Sequence, residues 1–200
     1  MTLPRVSAVL GVVWLVAACA APNADLQELL LPPQPIIQTG YSFLPPNEKG
    51  WLVGERSPAR TVLMKRGTGT DETYVVQSML LRLAPYRSRE DFVNQFRESQ
   101  GQDIDPARHK VLRHDAAYED HRGTDCARSH ILAEDNAAAK ADGSKGTMTM
   151  EIVSMACAHP KDKSVGVFLG YSQRYHAGRR DKALDAKAAA VLDSMEFIGR

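Results

Sequence analysis

The stretch TMTMEIVSMACAHPKDKSVGVFLGYSQRY, residues 147–175, decides how this chain folds. Read with a period of two, its first half places Thr149, Glu151, Val153, Met155 and Cys157 on one side and Met148, Met150, Ile152, Ser154 and Ala156 on the other. In the second half Val165, Val167, Leu169, Tyr171 and Gln173 alternate with Gly166, Phe168, Gly170 and Ser172. Apolar side chains on both sides mean that each strand needs a cover on both sides. His159-Pro160-Lys161-Asp162-Lys163 supplies the turn between them, so the stretch is an antiparallel hairpin inside a covered sheet.

Upstream, VLRHDAAYEDHRG (111–123) and TDCARSHILAEDN (124–136) form a second pair of strands. Cys126, Arg128, His130 and Leu132 share one face of the latter, and Ala127, Ser129, Ile131 and Ala133 the other. The polar residues 136–145 read as a flexible connector. Thr73 to Leu83 reads as a central strand, with Val75, Met79, Leu81 and Leu83 on one face and Val76 and Leu80 on the other. Trp51-Leu52-Val53 and Thr61-Val62-Leu63-Met64 are shorter strands around a turn at Ser57-Pro58. The Gly-x-Gly of GTGTDE (67–72) precedes a strand. A phosphate cradle needs the N-terminus of a helix at that place, so these glycines make a turn.

Two helices complete the pattern. Ser88 to Gln100 is amphipathic, with Ser88 as N-cap, Asp91 in the place of a capping box, Phe92, Val93 and Phe96 on one face, and Gly101 as the stop. Asp181 to Met195 repeats Leu184, Ala188, Val191, Leu192 and Met195 at helical spacing with alanine between them. Glu196-Phe197-Ile198 then returns as an edge strand or cap. The expected fold class is α+β: an antiparallel sheet of about six strands flanked by two main helices, over residues 50–200.

This order of elements resembles the PsbP-like α/β/α sandwich. So does the ending from Tyr171-Ser172-Gln173 to Leu192-Asp193-Ser194-Met195-Glu196-Phe197, a strand, a polar loop and a helix closing in a Leu-Asp-Ser turn. The resemblance implies a non-catalytic binding or assembly module. It names no partner, because fold does not fix function.

The N-terminus carries a different signal. Val6 to Ala18 is an apolar run behind the single charge of Arg5, too short for the roughly 20 residues of a spanning helix and suited to an export signal. Leu15-Val16-Ala17-Ala18-Cys19 resembles the lipobox of bacterial lipoprotein precursors. The resemblance implies diacylglycerylation of the Cys19 thiol, cleavage before Cys19 and acylation of the new amino group by a palmitate-type chain. Two or three acyl chains anchor stably where one does not. Ala20, in place of Asp, implies sorting to the outer membrane, facing the periplasm. Residues 1–18 are thus the expected signal peptide. Residues 19–49, with six of the eleven prolines, are a lipidated cysteine and a Pro-rich tether holding the domain off the membrane. The apolar Leu29-Leu30-Leu31 and Ile36-Ile37 within it dock on a partner or back on the domain.

Charge and cysteine content narrow the chemistry. Lys+Arg 25 against Asp+Glu 24 leaves a mixed surface with no basic stripe, which argues against nucleic acid as a partner. With Cys19 assigned to lipid, Cys126 and Cys157 remain in an oxidising compartment and are expected to pair. Chain entropy assigns about 3.7 kcal/mol to a loop of that length.

No catalytic constellation is legible: there is no Gly-x-Ser-x-Gly, Ser-x-x-Lys or His-Glu-x-x-His. Of the histidines His109, His114, His121, His130, His159 and His176, only His114, Asp120, His121 and Asp125 crowd together, at a spacing that matches no standard metal-ligand set. The expected metal and cofactor content is none. The expected function is that of a membrane-anchored envelope lipoprotein acting as a non-catalytic binding or accessory module, with an envelope protein as partner. The alternative is a hydrolase-type enzyme assembled from distant loops, with His130 or His176 as base.

Overall fold

The computed structural model describes residues 26–199. Ten strands and two helices follow in the order β1 (Ile36–Gln38), β2 (Tyr41–Phe43), β3 (Leu52–Arg56), β4 (Arg60–Arg66), β5 (Thr73–Arg82), α1 (Arg89–Asp103), β6 (His109–His121), β7 (Thr124–Ala139), β8 (Lys145–His159), β9 (Asp162–Tyr175), α2 (Leu184–Leu192) and β10 (Glu196–Phe197). The class is α+β, as expected, but the main antiparallel sheet has seven strands, in the order β3-β4-β5-β9-β8-β7-β6. A separate three-stranded sheet, β1-β2-β10, lies beside it. The count rises above six because the whole hairpin β3-β4 joins the large sheet through pairing from Arg60↔Met79 to Arg66↔Thr73.

The two-sided alternation of β8 and β9 is answered by one helix on each face. Phe92 and Phe96 of α1 pack on Ala127, Ala156, Ala158 and Phe168. Leu184, Ala188, Val191 and Leu192 of α2 belong to the opposite core with Met155, Val167, Leu169 and Tyr171. Small residues dominate the sheet face under α1. At Gly170 an added Cβ would lie 2.9 Å from the Phe168 ring, so a larger residue would displace the aromatic layer. Ser88 caps α1 by accepting a hydrogen bond from the Asp91 amide at 3.1 Å. The helix continues past Gly101 to Asp103, so that glycine is not its stop.

Two boundaries move. The residues read as a flexible connector mostly lengthen strands: β7 runs to Ala139 and β8 begins at Lys145, leaving a turn between them. The Pro-rich stretch is no spacer where it is described. The Val53 amide donates to the Gln27 carbonyl and the Leu29 amide to the Trp51 carbonyl, both at 2.8 Å, so residues 27–29 run along the outer edge of β3. Ile36, Tyr41 and Phe43 then face inward from β1 and β2 into the core of Trp51, Leu63 and Tyr171, and Phe197 of β10 joins them. Proline density suggested an extended, solvated chain, whereas the alternating apolar residues between the prolines make this segment part of the fold.

Cys126 and Cys157 stand directly opposite each other on β7 and β8 and form a disulfide with Cα atoms 4.1 Å apart. Both are fully buried on the α2 face. Cys19 lies outside the described residues.

Candidate functional site

The α2 face of the sheet is only partly covered. The helix packs over β8 and β9, while β6, the last strand of the sheet, and β7 extend beyond it. The result is an open groove of about 430 Å³. Asp115, Ala117 and Glu119 of β6, Arg128 and His130 of β7, Val153 of β8 and Asp185 of α2 line it. Strand parity explains why these residues meet. Asp115 pairs with His130, Ala117 with Arg128 and Glu119 with Cys126, so all share the face of the disulfide.

Beneath the groove lies a buried carboxylate. Glu151 projects from the same face of β8 with a side chain 3% exposed. It accepts hydrogen bonds from His130 Nε2 at 2.7 Å, from the Tyr175 hydroxyl at 2.8 Å, and from Nε and Nη2 of Arg180, each at 2.8 Å. Burial pushes this carboxyl up, and the bonds from Arg180, Tyr175 and His130 more than offset it, holding it below the usual carboxylate range. The phenol of Tyr175 is displaced upward by burial and by its bond to Glu151. Arg180 arrives from the loop before α2, and its hydrogen bond to Glu151 raises its own affinity for the proton. The same guanidinium reaches Asp185 in the first turn of α2 at 2.8 Å, where an acidic side chain also suits the helix dipole.

Arg128 plays the matching part on the other side. Its Nε and Nη2 donate to Glu119 at 2.5 and 3.0 Å, and Nη2 donates to Asp193 at 2.5 Å, tying β6 and β7 to the end of α2. Asp115 is paired with Arg113. The position of α2 is set by a further network: Lys187 donates to Asp181 at 2.7 Å and to Glu48 at 2.8 Å, and Lys65 donates to Glu48 at 2.6 Å. The Tyr74 hydroxyl donates to Asp181 at 3.3 Å. Its titration is pushed up to about 12, by burial first and by the Asp181 charge second.

Chemically, the groove offers a rigid floor of satisfied charge whose lining carries three carboxylates against one guanidinium and one imidazole. Ser129 also borders the groove, but its hydroxyl turns to the opposite face of the sheet, where it lies 3.1 Å from that of Ser154, beside Gln100 of α1. A second open concavity, of about 460 Å³, lies where β1 meets the β3-β4 turn and is lined by Ile37, Gln38, Thr39, Arg56, Ser57 and Pro58.

Of the histidines singled out from the sequence, His130 enters the groove and His176 does not, pairing instead with Asp71 at 3.6 Å. The cluster His114, Asp120, His121 and Asp125 is dispersed. His114 faces α1 at 3.4 Å from Gln100, where burial and the nearby Arg97 charge push it down. His121 Nε2 lies 2.9 Å from the Met195 carbonyl on the other face. Asp120 accepts from the Gly123 amide, and Asp125 accepts from Tyr86 and Tyr118. Among the described residues no group of three His, Cys, Asp or Glu side chains is placed to hold a metal ion. Glu151, Arg180, Arg128, Glu119 and Asp185 were not singled out. One sign was available for Glu151, a carboxylate in the inward register of an apolar strand.

No family model matches the chain, and no curated protein does. Among solved structures it is similar to the solution structure of cyanobacterial PsbP (CyanoP) from Synechocystis sp. PCC 6803. That likeness has a TM-score of 0.49 and 14% identity, over 91% of this chain and 98% of that one. It is also similar to a mutant form of the protein Mog1, with a TM-score of 0.43 and 11% identity over 88% of this chain and 97% of that one.

Proposed function

We propose that this chain is a lipid-anchored envelope protein, held to the outer membrane by acyl chains on Cys19, and that its domain is a non-catalytic binding module whose contact surface is the groove between β6, β7 and α2. The anchor rests on the sequence from Val6 to Cys19. The observation that carries the binding reading is the saturation of Glu151. A buried carboxylate with four donors is a fixed support, not a base waiting for a proton. The carboxylates of the lining, Asp115, Glu119 and Asp185, are paired with Arg113, Arg128 and Arg180, so an envelope protein as partner is favoured by the address in the sequence and not by the charge of the groove.

A photo-crosslinking residue at Ala117, inside the groove, tests this in intact cells. A discrete protein adduct from position 117 and none from position 70, an exposed loop residue, is the expected result. Equal labelling from both positions, or none from either, would overturn the assignment. Mass analysis of the N-terminal peptide reads the thioether lipid on Cys19 independently.

One contact favours a second reading, a hydrolase-type enzyme: the 2.7 Å approach of His130 to Glu151 has the geometry of a base and the group that orients it. On that reading His130→Gln abolishes turnover of an ester or amide panel; on the binding reading there is no turnover to abolish.

A further inference from the structure

The docking of residues 27–29 on β3 shortens the leash. If Cys19 carries the anchor, as proposed above, seven residues and hence eight Cα-to-Cα steps separate it from Gln27, the first residue bonded to the sheet. Fully extended they reach about 28 Å. A domain of this size is roughly 40 Å across, so it cannot swing freely above the bilayer. The end of the fold nearest the anchor therefore stays within about 28 Å of the lipid.

Four of the eight large exposed hydrophobic side chains among the described residues fall in the chain at that end. Leu30 is 81% exposed, Leu26 and Leu31 are 40% exposed, and Ile37 is 65% exposed, all within twelve residues of chain. Ile37 and Ile198 point outward from the small sheet, since their neighbours Ile36 and Phe197 point inward and Ile198 bonds to Gly40. Elsewhere among the described residues, Leu44, Val111 and Leu112 complete the set. The chain between Leu26 and Leu30 is not a loose thread: Glu28 accepts from the Gly50 amide at 2.9 Å and bridges to Leu52, which holds residues 27–29 against β3. Leucines exposed to this extent, beside a short leash, form a surface that loses apolar exposure only by meeting something apolar.

We infer that Leu26, Leu30 and Leu31 enter the interfacial zone of the bilayer, so that the domain lies on the membrane with its β3 edge down and its β6 edge and groove facing away. The lipid anchor and these leucines act together as two linked contacts, the first making the second intramolecular.

The test uses the lipidated protein, purified from membranes and reconstituted into phosphatidylethanolamine/phosphatidylglycerol vesicles. An environment-sensitive fluorophore is placed on Leu30→Cys and, separately, on Lys110→Cys at the far edge of the sheet. Cys126 and Cys157, joined and buried, do not react. Expected is loss of most of the emission at position 30 on adding nitroxide-labelled lipid and little loss on adding iodide, with the reverse at position 110. Quenching of both positions by iodide alone, on protein that carries its lipid and sediments with vesicles, overturns this inference while the anchor stands. A probe at position 30 shielded from both quenchers also overturns it, since a second protein then covers the leucines. A protein without acyl mass on Cys19 removes the anchor and this inference with it.

Discussion

Replacing Glu151 by glutamine tests whether the cluster beneath the groove is the support described. The carboxylate is almost fully buried and takes four hydrogen bonds from His130, Tyr175 and Arg180. Glutamine keeps one acceptor and turns an NH₂ group toward donors. Removing one partner of a buried ion pair costs about 3–5 kcal/mol, because the other charge is left desolvated. Arg180 has a side chain 35% exposed and can turn partly to water, which places the cost near the lower end, about 3 kcal/mol. For a domain of this size that corresponds to a fall in Tm of about 6–12 °C. The sign with pH follows from the depressed carboxyl. Its stabilisation is complete at pH values above the ordinary glutamate range, near 4.3, and is lost as pH falls through the lower folded value. Thermal unfolding followed by circular dichroism at pH 7 should therefore show the full gap between Glu151→Gln and the parent, and a titration toward pH 3 should close it. Equal melting temperatures at pH 7, or a gap that persists unchanged into acid, would refute the account of this cluster.

Two further perturbations bear on the rest of the fold. Phe43→Ala, in the Pro-rich stretch, is expected to cost about 3–5 kcal/mol in urea unfolding, as a buried core aromatic does and as a residue of a solvated spacer does not. The double variant Cys126→Ala, Cys157→Ala is expected to lose at most about 3.7 kcal/mol. In the parent, a thiol-reactive label should detect neither cysteine until the protein is both denatured and reduced, since the bond is buried on the α2 face.

What the sequence made legible was set by period. The alternation in β7, β8 and β9 assigned each side chain to a face, and the structure places Cys126 opposite Cys157 and His130 beside Val153 in that register. The cap of α1 at Ser88 was a local signal and was readable for the same reason. Strand number was less so. The pairing of β5 with β9 and of β10 with β2 joins segments far apart in the chain, whose contacts are decided by packing. The Pro-rich stretch misled because proline reports on local backbone, while Ile36, Tyr41 and Phe43 are held by a core that includes Trp51 and Tyr171 from later in the chain. The groove was hidden more deeply. Glu151 and His130 share a face by parity, but Arg180 and Asp185 reach it only because Lys187, Asp181 and Glu48 fix where α2 lies. No spacing in the sequence encodes that.

The order of the seven strands also says something about timing. The sheet consists of two sequence-local blocks, β3 to β5 and β6 to β9, and its first block is completed by its last strand, through ten residue pairs from Thr73↔Arg174 to Arg82↔Val165. About 80 residues separate the end of β5 from the start of β9. Joining strands across so long a loop is slower than forming the hairpins on either side, which close in about microseconds, so the inner edge of β5 waits on β9 for its partner. During that interval Val76 and Leu80 lack the apolar neighbours that β9 later supplies. The closing of β5 on β9 is thus the step at which the folding chain is most open to pairing with the wrong edge, and the step a holding chaperone would have to cover.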